Sequence, residues 1–440
     1  MYASLTINLK YAKNIDFKQT EMLRLTLKHK SYLLNLDYYI LLLMFLLIPI
    51  DMINGVLLMN EINLPLSVGQ AHKLLIVVLI LFRLTNKPKF ILFYFLLISL
   101  LLIPTIYQLF KTVQFSILTK DVIKIFRYTT PILSFAFFVN IYKSNNTLIN
   151  RKIYDLVKFS FYLTCASILL KYIGIGYPMY NYGNIGSKGL FYAGNEISVL
   201  LLVMSAFLGK SLWVTKLKQK YVLIFSISFI TALAIGSKTA LFGILLIFFL
   251  IPLQKINLRT KLSKFINIFL LISVATPILL IISWEYIKRT ELYIRVVYFY
   301  EKLDLITFLL SNRNTFLTDG IRVYVNEYNW FEKVIGVGQS TFELRNNNSI
   351  IEIDFIDIFF AFGIIGLFIF IGFIIYLWKQ SKNLARVQKF QYASFVNLML
   401  VILLAISSTA GHVFSSGLAA IFIGLVFAVM FKKNNENEVH

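Results

Sequence analysis

The sequence predicts an all-α polytopic membrane protein with about twelve transmembrane helices and one large extracytoplasmic loop subdomain containing short helices. Three observations carry this expectation. Of the 440 residues, 58% are apolar and 15% charged, with 41 Phe, 25 Tyr and a mean hydropathy of +0.75, whereas soluble proteins average roughly 45–50% and about 25%. Apolar runs near the spanning length of about 20 residues recur along the chain. Lys and Arg are sorted between alternate connections, as orientation in a membrane requires. Such hydrophobicity also excludes a disordered chain.

Taken in order, residues 1–36 are polar and basic and read as a cytoplasmic N-terminal tail without a cleavable signal peptide. Residues 37–284 hold nine candidate spans, at 37–59, 67–83, 90–108, 122–142, 155–174, 190–208, 220–235, 238–253 and 264–284. A large extracytoplasmic loop comes next, at 285–351. The region 352–431 holds three more spans, at 355–378, 391–409 and 413–431, before a cytoplasmic tail at 432–440. With the N-terminus inside, the cytoplasmic segments carry 26 Lys and Arg, and the short outer loops carry only Lys111, Lys120, Lys188 and Lys238. Both termini are therefore expected in the cytoplasm, and Trp284 and Trp378 fall at span ends where interfacial Trp is common. The net charge of +22 would suggest nucleic-acid binding in a soluble protein. Sorted in this way it orients the chain instead, and no nucleic-acid partner is expected.

The loop at 285–351 is too aromatic for a solvated linker. Leu317, Ile321, Tyr324, Val325 and Tyr328 recur at the spacing of one helical face, Asn314 is placed to cap that helix, and Gly336-Val-Gly338 is placed to stop any structure beyond it. A small folded subdomain on the membrane surface is expected. Its eight basic and eight acidic residues balance, so many of them form a solvated face.

Candidate functional residues gather toward the same side. Lys124 and Arg127 open the fourth span, Asn195 and Glu196 lie in the sixth, and Lys238 lies in the turn between the seventh and eighth. Arg289, Arg313 and Arg322 come from the loop. Glu352, Asp354 and Asp357 stand at the mouth of the tenth span, and His412 lies in the last outer turn. Ionisable residues within apolar stretches usually face a protein interior and carry function, although charges at a span entrance also simply mark a helix end. Lys73 and Asp51 are less informative.

Cations of this kind suit an anionic ligand, guanidinium forks matching phosphate in particular. A carboxylate held apart from them can serve as a general base. The four His are scattered, Cys165 is the single Cys, and there is no Walker A or dinucleotide fingerprint. No metal and no cofactor are expected. The chemistry that fits is transfer from a lipid-linked phosphate donor.

Several motifs in order carry a resemblance: Gly189-Leu-Phe-Tyr-Ala-Gly-Asn-Glu-Ile-Ser198, Gly236-Ser-Lys-Thr-Ala240, Leu310-Ser-Asn-Arg313, Gly336-Val-Gly338, Glu352-Ile-Asp-Phe-Ile-Asp357 leading into Phe362-Gly-Ile-Ile-Gly366, and Ala410-Gly-His-Val413. Over residues 120 to 430 the chain resembles the O-antigen and capsular polysaccharide polymerases (Wzy type) of the O-antigen ligase-like superfamily. The resemblance implies a glycosyltransferase of the bacterial cytoplasmic (inner) membrane with an extracytoplasmic site. Its substrates would be undecaprenyl-diphosphate-linked oligosaccharides, its surroundings membrane lipid, and its neighbours a chain-length regulator and a flippase.

On this expectation Arg289, Arg313 and Arg322, helped by Lys238 and Arg127, hold the donor diphosphate, and Glu352 or Asp354 acts as base with His412 as an alternative. Asn195, Glu196 and Asp357 contact phosphate or sugar. Direct displacement would invert the anomeric centre. Ser237-Lys238 stands where many family members have Ser-Arg, which keeps the charge and loses the fork. Related ligases place a His just before the late span, where this chain has Glu352 and Asp354, so the resemblance favours a polymerase over a ligase. A flippase or secondary transporter is the rival from another class, but internal repeats expected of many transporters are absent.

Overall fold

A computed structural model describes residues 35–254 and 285–433, apart from positions 63, 65, 113, 181–183, 286, 287, 289, 290 and 388. Both extreme tails, the expected span at 264–284 with Trp284, and Arg289 lie outside the described residues. Seven helices long and apolar enough to cross a membrane come first: α1 (Asn35–Met59), α2 (Val68–Asn86), α3 (Pro88–Thr112), α4 (Phe115–Ser144), α5 (Thr147–Ile173), α6 (Gly194–Val214) and α7 (Lys218–Ile235). The shorter apolar α8 (Lys238–Leu253) comes after them. Five short helices make up the described loop: α9 (Glu291–Lys302), α10 (Leu305–Leu310), α11 (Arg313–Glu327), α12 (Trp330–Ile335) and α13 (Gln339–Arg345). Then come α14 (Asp354–Ala385), again of spanning length, and the shorter apolar α15 (Ala393–Thr409) and α16 (Ala420–Phe431). Every expected span other than 264–284 falls on one of these helices. The protein is an all-α integral membrane protein.

Its centre is α6, apolar on all sides and 89% buried along its most apolar stretch. A helix apolar all round has no solvated face to present and is buried by its neighbours. Here these are α5, α7, α8 and α16. Along the contact of α4 with α16, Gly424 lies so close to Ser134 and Pro131 that a Cβ there would overlap them.

The structure corrects several boundaries. Helix α4 starts at Phe115, ahead of the expected 122, so Lys124 and Arg127 lie well inside it. Tyr177–Tyr180 (β1) and Ile185–Gly189 (β2) pair as unforeseen antiparallel strands, and the sixth span begins only at Gly194. The last helix begins at Ala420 instead of 413. Residues 410–419 are non-helical, with Gly411 at φ 60 and His412 at φ 55.

Helix α14 is also broken, which its uninterrupted hydropathy did not suggest. Gly363 has φ 62 and ψ −159, a region essentially restricted to glycine. A break in a membrane helix leaves carbonyls to be satisfied by nearby protein. Here the Tyr328 hydroxyl donates to Phe360 O (2.9 Å) and the Gly338 amide donates to Ala361 O (2.8 Å). Gly336 and Gly363 lie face to face, and a Cβ on Gly336 would sit 2.6 Å from Gly363 N. The Gly-Val-Gly turn of the loop is thus seated in the break.

Around this seat the loop has its own apolar cluster, including Val323, Tyr328, Val337, Phe342, Ile351 and Phe360. The buried face of α11 differs from the expected one by about one position. Phe316, Leu317, Val323 and Tyr324 pack inward, whereas Ile321 and Val325 are exposed. Gly320 hides this face from a hydrophobicity count, because its missing Cβ is what admits Ile351 and Phe360. Asn314 does not cap α11. Its amide donates to Thr307 Oγ1 (2.6 Å), and Asn312, at φ 69, precedes the helix with no side-chain cap.

Candidate functional site

Four parts of the backbone converge at one end of the bundle: the starts of α6 and α14, the first half of α4, and the non-helical stretch between α15 and α16. Between them and α13 lies a cleft of about 410 Å³, lined by Lys124, Arg127, Tyr128, Glu196, Gln339, Ile350, Asp357, His412 and Ser415. Arg127, Glu196, Asp357 and His412, far apart in sequence, therefore share one space.

The non-helical stretch owes its shape to two acids. Asp354 is 1% exposed, and its Oδ2 accepts from the Val413 amide (2.9 Å), the Phe414 amide (3.1 Å) and Ser407 Oγ (3.0 Å). Its Oδ1 accepts from Ser415 Oγ (2.8 Å). Glu196 Oε2 accepts from the Leu418 amide and from Ser416 Oγ, both at 2.9 Å. Amides left open by the missing helix thus find carboxylate partners. Asp357 works in the same manner at the start of α14, accepting from the amides of Ile351 (2.9 Å) and Ile353 (3.2 Å).

Glu352 and His412 form a pair across these turns, with His412 Nε2 at 3.4 Å from Glu352 Oε1. Both residues have positive φ, 63 and 55. Non-glycine residues held in that region carry strain and concentrate at functional sites. Arg313 enforces the arrangement from beneath. It is 7% exposed and donates from Nε to Glu352 O (3.1 Å), from Nη2 to Glu352 Oε2 (2.6 Å) and Ala410 O (2.8 Å), and from Nη1 to Leu310 O (3.2 Å). Gly411 lies against the Glu352 carbonyl, where any Cβ would collide.

Charge is set by this geometry. Burial pushes the Glu352 carboxyl up, and the His412 and Arg313 partners outweigh it, so the group stays below the usual glutamate range. Burial pushes the His412 imidazole down, and its bond to Glu352, with the further charges of Asp354 and Glu196, lifts it above the usual range. The two assignments agree on a charged pair.

Arg127 stands 4.0 Å from Glu196 Oε1. Lys73, held by Asp51 at 2.8 Å, adds its charge to the same carboxylate. One turn earlier on α4, Lys124 Nζ donates to Glu343 Oε1 (2.9 Å) and Gln339 Nε2 donates to the same oxygen (3.1 Å).

The structure does not bring together every candidate. The Arg322 side chain is 71% exposed and lies 4.0 Å from Asp319, directed to solvent because it sits opposite the packed face of α11. Lys238 is exposed at the start of α8, and Asn195 is exposed beside Glu196; neither lines the cleft. Arg289 is outside the described residues. Tyr128, Gln339, Glu343 and Ser415 were not foreseen from the sequence. Spacing was the usable signal for two of them, since Gln339 and Glu343 are four apart and share a helical face.

A second, apolar groove adjoins the cleft. It has a volume of about 470 Å³ and runs between α3, α4 and α14, past Leu97, Leu101, Ile358, Phe362, Phe370 and Phe414. Tyr128 borders both spaces.

Residues 300–434, which include the loop helices, α14, α15 and α16, match the family described as O-antigen ligase like membrane protein. No curated protein and no solved structure matches the chain.

Proposed function

Taking residues 300–434 as an O-antigen ligase-like membrane domain, we propose that the protein is a glycosyltransferase that polymerises lipid-linked oligosaccharides at the outer face of a bacterial cytoplasmic membrane. The growing chain leaves undecaprenyl diphosphate and joins the next lipid-linked repeat. The observation that carries this reading is the junction at Tyr128 of a polar, cation-bearing cleft with an apolar groove. A substrate with an anionic head and a long hydrocarbon chain needs both, side by side.

In this reading the diphosphate lies toward Arg127, whose charge offsets the charge that develops on the leaving group. The acceptor hydroxyl oxygen attacks the anomeric carbon, its proton passes to His412 in the neutral form that grows as pH rises, and the bond to the diphosphate oxygen breaks with its electron pair staying on phosphate. Glu352 holds the imidazole and stabilises the imidazolium that forms. A positioned base of this kind contributes roughly 10²–10⁴-fold. Asp354 and Arg313 are positioning residues: their polar atoms are committed to the turns that present His412 and Glu352.

A ligase reading shares every step up to the acceptor, and the family description covers it. The two differ in product. Cells lacking the protein should retain single-repeat material and lose the ladder of longer polymer, and the wild-type gene should restore the ladder whereas His412→Ala, present at normal membrane level, should not. A ladder that persists without the gene, or that His412→Ala fully restores, contradicts the proposal.

A further inference from the structure

The cleft lining differs to either side of one turn of α4 in a way that the transfer reaction alone does not require. On one side Arg127 is loosely matched, 4.0 Å from a Glu196 whose Oε2 is already occupied by Ser416 and Leu418. On the other, the charge of Lys124 is compensated directly by Glu343, and Gln339 joins the same carboxylate oxygen. This second wall is neutral in sum and dense in hydrogen-bonding groups. No described residue donates to Glu343 Oε2, and Gln339 Oε1, on a residue 2% exposed, has no partner among the described residues. A buried acceptor without a donor is costly, so such a group is conspicuous on the wall of a cleft.

The wall is also rigid. Helix α13 follows Gly338, whose amide is bound to Ala361 O (2.8 Å). Its Ser340 amide donates to Asp121 Oδ1 (2.6 Å), and Thr105 Oγ1 holds the other Asp121 oxygen (2.7 Å). At the far end Arg345 is tied to the buried Glu332 (3.1 Å). Gln339 and Glu343 are therefore presented on a helix fixed from α3, α4 and the break in α14, the kind of support that selective polar recognition needs.

We propose that Lys124, Gln339 and Glu343 form a saccharide subsite that receives the acceptor's terminal sugar and selects a neutral or amino sugar over an acidic one. A carboxylate and a carbonyl are paired acceptors for sugar hydroxyls or an acetamido N–H, and Lys124, already neutralised, offers its remaining protons to ring or hydroxyl oxygens. The Glu343 charge opposes a uronate or a phosphate at the same place, which directs the diphosphate to the Arg127 side. This inference rests on the glycosyl-transfer reading and deepens it.

The test is saturation-transfer NMR on the full-length protein in nanodiscs. The probe is the lipid-free repeat oligosaccharide, released by mild acid from the lipid-linked pool of the producing cells. Transfer to the terminal-sugar protons is expected with wild-type protein. It should fall about tenfold in Glu343→Gln and in Gln339→Met, one hydrogen bond to a charged or buried partner being of that order. Gln339→Met is nearly isosteric, so a folded sample is at hand even where Glu343→Gln melts early. No transfer to the wild type, or equal transfer to the wild type and Gln339→Met, overturns the proposal. Polymer formation is read separately: a protein that makes no polymer but shows the wall-dependent transfer keeps the subsite and loses the proposed reaction.

Discussion

At His412 a histidine held by a carboxylate faces the cleft, and this pairing makes a pH prediction with a definite sign. Glu352 favours the imidazolium, so the His412 pKa lies above the ordinary value. A base must be unprotonated, and activity should therefore rise with pH through that raised pKa. Glu352→Gln removes the partner: the acid limb of the kcat/KM profile should move to lower pH, and the plateau should drop because the imidazolium formed in the transition state loses its counter-charge. An acid limb that stays in place would show that His412 is not the titrating base. At this scale the sequence named Glu352, His412 and Arg313 but not their relation. Glu352 and His412 are sixty residues apart in sequence, and only the turn at Gly411, pressed against the Glu352 carbonyl, brings them into reach. Asp354 looked equally suited to serve as a base, and nothing local in the sequence says that four donors occupy it.

Among the elements, the broken helix α14 decides how the loop docks. Gly363 and Gly336 interlock backbone to backbone, with φ of 62 and 87. Alanine at either position meets both a disfavoured conformation, costing of order 1–3 kcal/mol, and a steric overlap with the opposing chain. Gly363→Ala should lower the thermal midpoint of the purified protein and expose the loop to limited proteolysis, whereas Gly372→Ala, which meets nothing within 4 Å in the same helix, should do neither. A second fastening lies at Glu332, whose carboxylate receives Gln108 (2.6 Å) and Arg345 (3.1 Å). Burial pushes this carboxyl up, but those hydrogen bonds prevail and hold it at about 2. Its contribution to loop docking is therefore present above the ordinary glutamate pKa and is lost as pH falls toward 2. The sequence foretold a folded loop from its aromatics and a stop at Gly336-Val-Gly338, and both are seen. It could not foretell the break, because Phe362-Gly-Ile-Ile-Gly366 is as apolar as an unbroken span, and glycine alone does not distinguish close packing from a change of direction.

For the whole molecule, hydropathy alone located every described membrane helix, because a lipid core rewards apolar length and little else. It missed the strand pair before α6 and the non-helical start of the last span, which rest on backbone pairing and buried carboxylates rather than on apolar length. Lys124, Arg127, Glu196, Asp357 and His412 meet at one end of the bundle. Cation counting can indicate such a side, but not which of its residues converge. Whether this cleft performs glycosyl transfer is decided by polymer formation with the purified protein in nanodiscs, supplied with lipid-linked repeat units. The wild type should build a ladder of products, and His412→Ala should lose about 10²-fold or more in rate, with a comparable loss for Arg127→Gln and both variants folded. A wild-type protein that yields no product longer than one repeat, or variants that build the ladder at the wild-type rate, would contradict glycosyl transfer at this site.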